Sequence, residues 1–233
     1  MGYLKGDTTG DDREINDAYV ALRKRLIPQF TTEQISHTPK TVWKTLSVFQ
    51  CLIRRTLEAA DGMRSAWNQG NLLTATTMAR SLIETGATIR HLMDSIKDAT
   101  RQRDTAALDR SVMELGFAAR YEGFAGDDWA HKAKNILTLI DSMDRSLFGD
   151  KKPRLRDAYD FLSEFAHPNY LGVLGLYSDN FPEEYRVEFG KRRKKKEMIL
   201  PLLRVTLAMV LLAELAAVDL EALIPEITAF VPK

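Results

Sequence analysis

The residues best able to do chemistry fall on two segments with helical spacing. Arg80 and Glu84, in Ala79-Arg80-Ser81-Leu82-Ile83-Glu84, stand four apart, so on a helix they share a face and can touch. His91 falls on the same face. Such a pair is either a solvated ion pair or, crowded by Ala79, Leu82, Ile83, Gly86 and Ala87, one enclosed between neighbouring helices. The second segment carries Arg156, Tyr159, Asp160, Ser163 and His167 at spacings of three and four, a single polar stripe. His167 ends it, where the negative end of the helix dipole favours the protonated ring. A histidine so placed can bind phosphate, transfer a proton, or simply cap the final carbonyls.

A third feature is compositional. Lys191-Arg192-Arg193-Lys194-Lys195-Lys196 is a run of like charge in a chain whose 33 basic and 32 acidic residues otherwise balance to +1. Six adjacent cations repel one another. They fit either phosphate contacts on a nucleic acid or a solvated loop.

Several chemistries lose their support. No glycine-rich phosphate loop, dinucleotide fingerprint or nucleophile elbow occurs, so no cofactor is expected. Glu164-x-x-His167 has the spacing of a di-iron ligand pair, but no second copy exists. With His37, His91 and His131 far apart, no metal site is expected. The lone Cys51 excludes an internal disulfide and is expected to be a buried, inert thiol.

The elements that must position these residues read as one mainly α domain spanning 1–233, with residues 1–10 expected to be flexible. About seven helices are expected. A stripe of Ile15, Tyr19, Leu22 and Leu26 opens the series, and a second helix starts at Thr38-Pro39 and runs to about Trp67. Gly70 reads as its stop and Asn71 as the cap of a third helix, which extends to about Asp98. Further helices are expected at Thr105–Arg120, at Asp128–Leu147 behind the acidic Asp127-Asp128 pair, and from Pro153 to His167. Tyr170–Tyr177 and Tyr185–Phe189, aromatic and β-branched between Gly, Asn and Pro, suit a small β-hairpin. The last helix is expected from near Lys194 to just before Pro225.

That last helix contains the one membrane candidate, Met198–Val218. Pro201, Arg204 and Glu214 interrupt it, leaving Val205–Ala213 as the longest uncharged piece within it, well short of the roughly 20 residues a span requires. It reads as a buried helix, with no membrane partner. MGYLKGDTTG has no apolar core of a signal peptide. A cytoplasmic location is therefore expected.

The Ala79-Arg80-Ser81-Leu82-Ile83-Glu84 helix, the Tyr159-Asp160-Phe161-Leu162-Ser163-Glu164-Phe165-Ala166-His167-Pro168 helix, and a hairpin before a hydrophobic helix together resemble a group of HEPN-like bacterial proteins. The resemblance covers residues 71–218. It implies an α-helical bundle, frequent homodimers, and links to RNA or to phage-defence and toxin systems. In active HEPN ribonucleases an Arg and a His lie a few residues apart on one helix and cleave without metal. There His moves the ribose 2′-hydroxyl proton and Arg holds the phosphate. Here the nearest upstream arginine, Arg156, is eleven residues from His167.

Three readings follow. The leading one is a non-catalytic binder of RNA or of a protein partner, using the basic run Lys191–Lys196. The second is a metal-independent ribonuclease in which Arg80 serves His167 from the neighbouring helix, Glu84 orients Arg80, and Ser163 or Tyr159 aids substrate. The third makes the polar residues a buried network that fixes helix register.

Overall fold

A computed structural model describes Leu4 and residues 12–30, 38–116, 134–149, 154–190 and 193–231. Its α-helices among these residues are α1 (Arg13–Lys24), α2 (Lys40–Gln69), α3 (Leu72–Gln102), α4 (Thr105–Gly116), α5 (Ile136–Phe148), α6 (Leu155–Ala166) and α7 (Arg193–Phe230). Strands β1 (Ser178–Phe181) and β2 (Arg186–Phe189) pair antiparallel just before α7. The expected mainly α bundle with a small hairpin is what the chain forms.

Helix α3 is the axis of the bundle, packing against α2, α4, α5, α6 and α7. Its two ends are built alike. At the start, Gly70 takes a left-handed φ of 79°, and the Asn71 N–H reaches back 2.8 Å to the Ala66 carbonyl, a glycine closure of α2. The Asn71 side chain then accepts the Thr74 N–H at 3.1 Å and caps α3. At the far end Arg103 takes the same left-handed turn (φ 53°), and the Asp104 carboxylate caps α4 through the Ala107 N–H. Helices of 30 and 31 residues thus lie antiparallel for most of about 45 Å.

The core is continuous. Phe49, Ile53, Met63 and Trp67 of α2 meet Leu82, Ile83, Ile89 and Leu92 of α3, with Leu162 and Phe165 of α6 and Leu203, Leu207 and Val210 of α7 in the same cluster. Leu4, the single described residue of segment 1–10, is buried there as well; the others of that segment lie outside the described residues.

The structure departs from sequence-based expectation in several places. Helix α2 begins one residue late, with Pro39 itself in the cap position. Cys51 is exposed, because the buried face of α2 runs through Val48, Phe49, Ile53 and Leu57 and leaves position 51 outside. Tyr170–Tyr177 is not a strand. Leu171–Gly175 forms a π-helical turn in which the Gly175 N–H reaches the Tyr170 carbonyl, while the Asn169 side chain caps the Gly172 N–H. Capping by Asn169 outweighs the β-branched pattern. Gly172 is required here, since a Cβ would stand 1.9 Å from the His167 carbonyl oxygen.

Helix α5 begins at Ile136, capped by Asn135, so the Asp127-Asp128 start lies outside the described residues. Helix α7 runs through Pro225 as well as Pro201. Both prolines are exposed, so the helix passes each of them on its solvent side. By length and hydropathy α7 is the one described helix able to cross a membrane, yet 39% of its most apolar window is buried inside the bundle. It is only partly the buried helix expected.

Candidate functional site

Helices α3 and α6 do face each other, and they bring Arg80, Glu84 and Tyr159 together. Arg80 Nη2 donates to the Tyr159 hydroxyl at 2.8 Å, and that hydroxyl donates to Glu84 Oε1 at 3.0 Å. The guanidinium also lies over the Tyr159 ring, 5.0 Å from its centroid, a cation–π contact. Arg80 Nε sits 3.3 Å from Glu84 Oε1, but its angle makes no hydrogen bond. Attraction between the two charges is therefore largely electrostatic.

Arg80 and Glu84 keep 28% and 25% of their side-chain surface exposed, while the tyrosine between them is shielded. Tyr159 is 4% exposed. Burial foremost raises its phenol pKa; the bond from Arg80 pulls it down, and the Glu84 charge pushes it back up. The phenol therefore keeps its proton at neutral pH and serves as a two-way hydrogen-bonding bridge between a cation and an anion. It is a latch between α3 and α6.

The remaining residues of the polar stripe go elsewhere. Ser163 Oγ turns back 2.7 Å to the Tyr159 carbonyl of its own helix. Arg156 binds Asp160 at 2.9 Å and reaches Asp141 of α5 at 2.9 Å, tying α6 to α5. His167 caps α6 in an extended backbone conformation, its N–H bonded to the Ser163 carbonyl. Its side chain is exposed. Among the described residues no hydrogen bond or ion pair joins His167 to the latch. Eight residues of helix, about 12 Å of rise, separate it from Tyr159.

The chain matches no family model, no curated protein and no solved structure.

His91, expected beside Arg80 and Glu84, instead accepts a 2.9 Å hydrogen bond from Lys134 Nζ, and Lys134 pairs with Glu114 at 3.2 Å. Burial and the Lys134 charge both lower the His91 pKa, holding a neutral ring that accepts the lysine proton. Among the described residues no three His, Cys, Asp or Glu side chains gather as metal ligands would.

The basic run divides. Lys191 and Arg192 lie outside the described residues, and Arg193 and Lys194 open α7. Lys195 does not face solvent. It is 7% exposed, its Nζ donates to the Ser178 carbonyl, and it lies 3.4 Å from Asp179. It pins β1 to the first turn of α7 and offsets the like-charge facing of Asp179 and Glu188 across the hairpin. Lys196 Nζ stands 5.3 Å from the Trp67 ring centroid.

Two features escape sequence reasoning. Asp144 of α5 is a buried carboxylate that accepts the backbone N–H groups of Arg154, Leu155 and Arg156, each at 3.2 Å. It caps α6 from another helix, and no local spacing signals that. The other is a set of exposed aromatic rings before the basic run. Tyr185 is 99% and Phe189 76% exposed, with Tyr170 and Tyr177 also exposed. In sequence these rings read only as strand formers.

Proposed function

We propose that this protein binds single-stranded RNA without cleaving it, through the hairpin end of the bundle. The supporting observation is the exposure of Tyr185 and Phe189 on the hairpin, whose last strand leads through Gly190 directly into Lys191-Arg192-Arg193-Lys194. Flat exposed rings stack on unpaired bases, and adjacent cations attract the backbone phosphates. That pairing tolerates any sequence and needs no metal. Among the described residues the latch and the separate, exposed His167 supply no paired proton donor and cation, which favours binding over catalysis.

The test uses labelled single-stranded RNA in EDTA, read for both mobility shift and cleavage. A shift without cleavage is expected. It should weaken with rising salt, with a slope of about −0.7 per neutralised phosphate, and fall in Tyr185→Ala/Phe189→Ala. Neutralising Lys191, Arg192 and Lys194 should weaken it too, while Lys195 is left intact to hold the hairpin. Cleavage lost in His167→Ala would replace this proposal with the ribonuclease reading. No shift at low salt would refute RNA binding altogether.

A further inference from the structure

Three helices meet at a junction that the packing leaves unfilled. Helix α5 stops at Phe148, where Gly149 takes a positive φ of 67° and its N–H closes the last turn on the Arg145 carbonyl. The end of α5 therefore covers only one side of the seam between α3 and α7. Those two helices approach closely at Gly86, where a Cβ would stand 2.3 Å from the Met209 sulfur. They are joined again where Lys97 Nζ of α3 meets Asp219 of α7 at 2.6 Å. Between these contacts lies a groove of about 380 Å³. Buried Met93 and Met209 line it, with Leu147, Phe148, Leu212 and Leu215 around them. Past Lys97 the surface turns polar, with Asp98, Thr100, Arg101 and Glu226, so the apolar part ends there.

Charge and volume together narrow what this groove can hold. Arg90 Nε binds Asp94 at 3.0 Å, and Lys97 binds Asp219, so each cation at the rim has a carboxylate beside it. An anion placed here meets Asp94 or Asp219, and a cation meets Arg90 or Lys97. An ionised ligand thus gains little attraction in return for the water it loses, whereas an uncharged one gives up little. One turn of a helix, about 5.4 Å long and about 10 Å across, fills roughly 420 Å³, so a second helix does not fit inside. The groove is instead the size of a small-molecule site, at the low end of the roughly 300–1,000 Å³ usual for one.

We propose that this groove binds a small uncharged apolar molecule, held by Met93, Met209, Phe148 and Leu212 at the junction of α3, α5 and α7. The two methionine side chains are flexible and polarisable, and they suit an aromatic ring. The groove shares no residue with the hairpin, and the proposal is independent of RNA binding there.

Fluorescence titration of the full chain with N-phenyl-1-naphthylamine, an uncharged aromatic probe, should show one saturable site per chain with blue-shifted emission. 8-Anilino-1-naphthalenesulfonate carries the same rings and a sulfonate, and should bind at least about tenfold more weakly. Ala208→Trp fills the groove from an exposed position, and Leu215→Glu sets a charge at its rim. Each should weaken binding of the uncharged probe by about tenfold and leave helical circular dichroism unchanged. Tyr185→Ala/Phe189→Ala should leave the probe's affinity unchanged, which separates this groove from the exposed rings of the hairpin. Absence of a saturable site, a site that survives both groove variants, or equal or tighter binding of the sulfonate would overturn the proposal. So would a chain that self-associates and excludes the probe until diluted, which would give the groove to the side chains of a protein partner.

Discussion

Tyr159→Phe is the sharpest probe of the α3–α6 latch. The substitution keeps the ring, its packing and the stacked guanidinium, and deletes only a hydroxyl that accepts from Arg80 at 2.8 Å and donates to Glu84 at 3.0 Å. A hydrogen bond to a charged partner contributes about 1.5 kcal/mol or more when enclosed. Arg80 and Glu84 each keep roughly a quarter of their side-chain surface in water, so solvent recovers part of what the two bonds supply. The expected cost is about 2 kcal/mol, or about 4–8 °C in Tm for a chain of this size. Urea unfolding followed by far-ultraviolet circular dichroism measures it. The difference should also depend on pH. The phenol pKa is raised in the folded state, so the stability it adds is complete below the unfolded value of 10 and disappears as pH climbs past the higher folded value. A double-mutant cycle with Glu84→Gln should return a coupling above about 0.5 kcal/mol. A cost below that, with RNA binding abolished, would refute the structural reading and make Tyr159 a ligand contact.

Three further outcomes follow from the same geometry. Asp144→Ala should destabilise by about 2 kcal/mol in thermal melts, because three N–H groups at the partly buried start of α6 lose their acceptor; Asp144→Asn should cost about half as much. Stability should decline as pH falls below 6.5, where unfolded His91 takes up a proton that folded His91, its pKa lowered, resists. His91→Gln should flatten that decline in urea titrations at pH 7 and pH 5; an unchanged slope would assign it to other groups. Arg103→Gly should stabilise by about 0.5–1 kcal/mol by relieving a left-handed backbone at an exposed position, a gain visible as a higher urea midpoint.

Where the determinants are local, the sequence was readable. Gly70 and Asn71 mark the α2–α3 turn because each acts on its own neighbours, through a positive φ and a side-chain cap. The i, i+4 spacing of Arg80 and Glu84 is likewise local, and their ion pair is present. What spacing could not show is the third member. Tyr159 is 79 positions from Arg80, and its role exists only once α6 packs on α3. The same distance hides Asp144, whose carboxylate serves a helix end that in sequence looks uncapped.

The basic run marks the limit of composition as a guide. Six adjacent cations suggest one shared role, yet a helix start rotates each by about 100° from the last, so they cannot all face one way. Lys195 falls on the inward side and bonds to the hairpin, while Lys196 stands over the Trp67 ring. The same rotation acts on α7 as a whole. Its composition is apolar on nearly every side, which in sequence suggests one fully buried helix. The bundle leaves part of it uncovered, with Val205, Leu215 and Val218 exposed. Composition tells how much apolar surface a helix carries. Only the packing around it tells how much is left over, and that remainder is where this protein's interactions should be sought.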